Sequence, residues 1–210
     1  MMMGFFVGVV AFGMKFIEEG LIDGVLEYVQ KVIEASPNSP GEEIGSTCFI
    51  PWLIYAFAAM IFGLIASFMT TYWGQGAAGS GVAELVGYLN GINYTGFIEV
   101  PTLVTKIVGV TLAVCAKLCV GKEGPLAHIG ANIGPFILYI PGLELFRNDE
   151  TKRIFIAAGA SAGVAVAFGS PIGGALFCYE LSKPNTFWKF MMIWKVFLSC
   201  AFATFSMGLL

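Results

Sequence analysis

The chain has 210 residues, 57% of them hydrophobic and only 12% charged, with a formal net charge of -3 and a mean hydropathy of +0.81. Soluble domains run near 45–50% apolar and about 25% charged, so this composition excludes an ordinary soluble enzyme or binding module and describes an integral, multi-pass membrane protein. The small acidic excess and the lack of a basic tract give nucleic acid no electrostatic footprint to bind.

Met1 to Ile17 is apolar but has neither a basic leader nor an A-x-A-like cleavage site, and its helical pattern continues past Lys15 toward Ile33. It predicts a first, tilted membrane helix and not a signal peptide. The loop that follows, SPNSPGEEIGSTC at 36–48, carries two acids and no Lys or Arg. Phe49 to Trp73 and, at the far end, Trp188 to Leu210 each reach the roughly 20 apolar residues that cross a hydrocarbon core about 30 Å thick. Basic residues collect on the cytoplasmic side, so the 36–48 loop is expected outside, and the clusters at Arg147, Lys152 and Arg153 and at Lys183 and Lys189 inside. The chain from Ile154 to Ser182 must then enter and return within 29 residues, where two full crossings need about 40. Two short helices broken near GSPIGG are the predicted solution.

Glycine and proline interrupt the apolar runs at Gly74–Gly81, Gly121–Pro125 and Gly169–Gly174. Irregular backbone at membrane depth survives only where protein buries it or where it lines a polar cavity. These breaks predict an all-α architecture of tilted and half-spanning helices, whose positive N-terminal dipole ends suit an anion near the midplane. The small residues from Ala157 to Gly169 are expected to pack helices closely. Cys48, Cys115, Cys119, Cys178 and Cys200 are odd in number; Cys115 and Cys119, one helical turn apart, have no His or third thiol nearby. Reduced, membrane-buried thiols are expected, with no metal site and no cofactor.

Two of the breaks carry candidate chemistry. In GKEGP, residues 121–125, Pro125 favours a helix start and Gly124 an unusual backbone, so a helix is predicted to begin there with free N–H groups beside Glu123. Backbone amides at a helix N-terminus hold an anion without a cation of their own. Glu123 tethered there is then a built-in competitor for the anion, a gate, and Lys122 raises the positive potential at the entrance. In Gly79-Ser80-Gly81 a hydroxyl and consecutive amides again precede a short helical pattern. A phosphate loop is excluded because Ala116 and Glu123 occupy positions that need Gly and Ser or Thr. His128, the only histidine, is expected to be a packed or hydrogen-bonded helix residue, with a proton relay as the alternative.

Taken in order, these breaks resemble the signatures of the CLC family of chloride channels and chloride/proton exchangers. GSGVAE at Gly79–Glu84 is similar to the family's GSGIPE and is followed by YLNG at Tyr88–Gly91; GKEGP matches in full; AAGASAGVAVAFGSPIGGALFCYEL at Ala157–Leu181 resembles a third block. The resemblance implies that Ser80 donates to a central chloride, with Gly79, Gly81, Lys122 and Gly124 around the anion, and that Glu123 is the gate. A serine in place of proline implies chloride over nitrate. Ala83 departs from the proline of GSGIPE. Leu181 stands where exchangers carry an inward proton-transfer glutamate, which implies a passive channel, with a chloride/proton exchanger as the alternative. The resemblance further implies no enzymatic activity and a homodimer in the lipid bilayer, with Trp188–Leu210 near the dimer contact. No GxFxP stretch, which would complete the anion site, occurs in the chain. Residues 1–210 are therefore expected to be the N-terminal half of the membrane domain, a fragment that does not close an anion path alone. A non-conducting membrane subunit is the remaining alternative.

Overall fold

The structure is a computed structural model, and it describes residues 1–35, 49–139, 148–182 and 192–210. Among these there are only helices: α1 (Met2–Ala35), α2 (Phe49–Tyr72), a 3-10 turn (Gln75–Ala77), α3 (Val82–Leu89), α4 (Val100–Cys115), α5 (Glu123–Leu138), α6 (Asp149–Phe168), α7 (Pro171–Ser182) and α8 (Met192–Leu209). The expected outward loop, Cys48, Arg147, Lys183 and Lys189 lie outside the described residues.

Three of the described helices, α2, α6 and α8, are long and apolar enough to cross a membrane. The predicted first helix is present as one 34-residue rod, α1, but Lys15, Glu18 and Glu19 interrupt its apolar half and it is not among those three. The break at GSPIGG falls as predicted, since α6 ends at Phe168, Gly169 adopts a left-handed φ of 63° and α7 starts at Pro171. The two helices around it are nevertheless unequal. At 1.5 Å per residue α6 is about 30 Å long, a full crossing, and only α7 is short.

The length of α6 is tolerated because it is the hub of the fold, packed on α1, α5, α7 and α8. Every residue from Ile156 to Val166 on it is buried. Such all-round burial needs small side chains, and the sequence supplies Ala, Gly and Ser at nearly every turn. Its closest partner is α5. A methyl placed on Gly130 of α5 would run into the carbonyl of Gly159, one on Gly159 into the carbonyl of Gly130, and one on Gly163 into the carbonyl of Leu126. The two backbones touch, and α5 is fixed in position by that contact. On the other side α2 packs against α4, and α1 bridges the groups by contacting α8, α6 and α4.

Because backbone atoms cannot yield, Gly159→Val should separate α5 from α6 and cost about 3 kcal/mol, read as a lower melting temperature of the purified protein in detergent. Gly13→Ala on α1, where an added methyl meets nothing within 4 Å, should instead raise stability by about 0.5–1 kcal/mol in the same melt, the helix-propensity gain of Ala over Gly.

Candidate anion site

The GSG turn is built by three features. Gly79 and Gly81 hold φ of 68° and 80°, values that side-chain-bearing residues rarely adopt. Between them Ser80 is exposed, and its Oγ accepts a 3.4 Å hydrogen bond from the Val82 amide at the start of α3. Behind the turn lies Lys106, 2% exposed in the middle of α4. Its Nζ donates to the Ala77 carbonyl at 2.9 Å and to the Gly79 carbonyl at 2.7 Å. A break in a membrane helix strands its carbonyls, and here one lysine satisfies two of them.

The GKEGP turn starts α5 at Glu123, one residue earlier than Gly124. Pro125 has no N–H and the Leu126 amide bonds the Lys122 carbonyl at 2.9 Å. The amides of Glu123 and Gly124 are thus the orphan donors of this terminus. The structure brings this turn against the GSG turn: a methyl on Gly124 would stand 2.8 Å from Ser80 Cβ. A hydroxyl and free helix-terminal amides therefore share one locus, a donor set of the kind that holds a small anion. Glu123 is exposed, and its carboxylate folds back over Gly121.

Lys122 does not pair with its neighbour Glu123. It reaches across to α1, where its Nζ lies 3.3 Å from Glu18 Oε2. Leu181 lies on α7, half-buried against the hydrophobic core, while Glu180 beside it is exposed. His128 is the packed residue of the two alternatives: it is fully buried, stacked on Phe97 at a centroid distance of 4.1 Å, with Nε2 3.0 Å from the Phe97 carbonyl. A methyl on Gly81 would strike its ring, so His128 seats the GSG turn from below. Asn132, one turn further along α5, bonds the same carbonyl at 3.4 Å.

Lys106 and Glu18 were missed in the reading of the sequence. The signal was there in both cases, since a charged side chain inside an apolar helical pattern marks function or an obligate partner by default.

The folded chain is a polytopic membrane protein whose broken helices meet at two glycine-framed helix termini. Residues 62–210 match the family described as "Voltage gated chloride channel". The chain belongs to the voltage gated chloride channel family. It is 36% identical to chloride channel protein D of Dictyostelium discoideum over 99% of this chain and 20% of that protein. To the human H(+)/Cl(-) exchange transporter 7 it is also 36% identical, over 74% of this chain and 20% of the relative. The fold matches that of a slow cyanobacterial Cl-/H+ antiporter with a TM-score of 0.79 at 24% identity, covering 99% of this chain and 45% of that one. The chain thus spans about a fifth of the length of the curated relatives it matches.

Replacing Lys106 by Met keeps the bulk and removes the donor. The Ala77 and Gly79 carbonyls then lack their partner, and Lys106→Met should cost about 1–3 kcal/mol, visible as a lower melting temperature in detergent.

Proposed function

We propose that residues 1–210 supply the N-terminal half of a chloride pathway, in which Ser80 and the amides of Glu123 and Gly124 coordinate the ion and Glu123 gates it. The observation that carries this reading is the contact between Ser80 and Gly124, which sets a hydroxyl donor beside a helix N-terminus. Gly79 and Gly81 shape the first turn, and Lys122 adds positive charge near the second, less the share that Glu18 neutralises. A carboxylate on the same residue as one of the orphan amides competes with chloride for them. It yields when chloride displaces it or when a proton neutralises it, so anion flux rises as pH falls. The chemistry is the transfer of an ion without bond-making, in a protein that works as a homodimer within the lipid bilayer, the second half of each path coming from residues beyond those in this chain.

Conduction is passive in this reading. Leu181 has no group that exchanges a proton, and it is packed against apolar core. Coupled exchange is the second reading, favoured by the 36% identity to a relative named as an exchange transporter. The full-length protein in liposomes separates them. Under a chloride gradient the reversal potential should follow chloride alone and ignore an opposing proton gradient; a shift with the proton gradient establishes the exchanger. In the same assay Glu123→Ala should raise flux and abolish its pH dependence, and an unchanged pH profile would remove Glu123 from the gate.

A further inference from the structure

Glu18 lies on α1, 104 residues before Lys122 in sequence, and its side chain is only 18% exposed. A carboxylate so far out of water needs a partner, and in the structure that partner is Lys122 Nζ at 3.3 Å. The nearest other cation on the same helix, Lys15, is engaged with Glu19 at 3.7 Å. Lys15, Glu18, Lys122, Thr111, Val114 and Leu126 border one small cavity of about 50 Å³ between α1, α4 and the first turn of α5. Lys122 is the residue immediately before Glu123 and caps the helix whose amides are free. Its backbone belongs to the gate turn while its charge is drawn sideways into α1.

We propose that Glu18 tunes the chloride affinity of the anion path: it neutralises Lys122 and thereby sets how strongly the gate turn attracts chloride. The inference rests on the anion-path reading above. Its physical basis is the Coulomb term alone. In water-like surroundings a unit charge several ångströms from an anion changes its affinity by a factor of about 3. Freed from Glu18, Lys122 returns that attraction to the path. A tie that only braced α1 against α5 would act in the opposite direction, since its loss loosens the turn and weakens binding.

The test is chloride efflux from liposomes containing the full-length protein, with half-saturating chloride and maximal flux measured separately. Glu18→Gln should lower the half-saturating concentration about threefold. Glu18→Asp, whose shorter arm weakens the pair without removing the charge, should give a smaller shift of the same sign. On a Lys122→Gln background, Glu18→Gln should give a shift of the same sign and similar size, because Coulomb terms add. A raised or unchanged half-saturating concentration in Glu18→Gln would overturn the proposal. Should Glu18→Gln fail to fold, the sign of the Glu18→Asp shift decides in its place. Absence of chloride flux from the unmodified protein would overturn the anion-path reading and this proposal together, whereas normal flux with no shift would overturn this proposal alone.

Discussion

A helix broken inside a membrane leaves carbonyls and amides with no water to receive them, and each such group costs several kcal/mol unless protein satisfies it. The two breaks that frame the site solve this differently. At the GSG turn the stranded carbonyls of Ala77 and Gly79 are taken by Lys106, an amino group delivered from α4 and itself buried. At the GKEGP turn the stranded groups are amides, and no side chain caps them. Carbonyls are thus consumed internally while amides are left over. The result is a locus with spare donors, which is the polarity an anion requires.

That locus exists only because two rigid contacts hold it. The α5–α6 pair meets backbone to backbone at Gly130, Gly159 and Gly163, which sets where α5 begins. His128, four residues inside α5's buried face from Gly124, carries this position to the GSG turn by packing under Gly81 and stacking on Phe97. A tightly packed pair of helices and one aromatic stack therefore place Gly124 beside Ser80. Packed interiors resist small displacements strongly, so the geometry of these donors is fixed by packing.

The electrostatics of the GKEGP turn follow from the same frame. Adjacent opposite charges at Lys122 and Glu123 invite the interpretation of a local pair, yet a residue at a helix cap and the next one inside it point in different directions. Lys122 finds Glu18 on α1 and Glu123 lies exposed over Gly121. The two charges are thereby separated, which the gating role proposed for Glu123 requires. The cation is held by a partner on a distant segment of chain.

Much of this was legible in the order of residues. Long apolar runs with few charges require a membrane, glycine and proline within them require breaks, and three signature stretches in sequence identify the family, because each of these depends on local chemistry. Tertiary structure alone decided the rest. The expectation of two short helices around GSPIGG gave way to one full-length helix and one short one, because charge-bias topology counts residues but does not see that α6 is buried by its neighbours. The partners of Lys106 and Lys122 lie 27 to 29 and 104 residues away, so no window along the chain contains them. Side-chain pattern determined which helices form and where they break; the long-range packing of glycine faces and buried charges determined which broken ends meet.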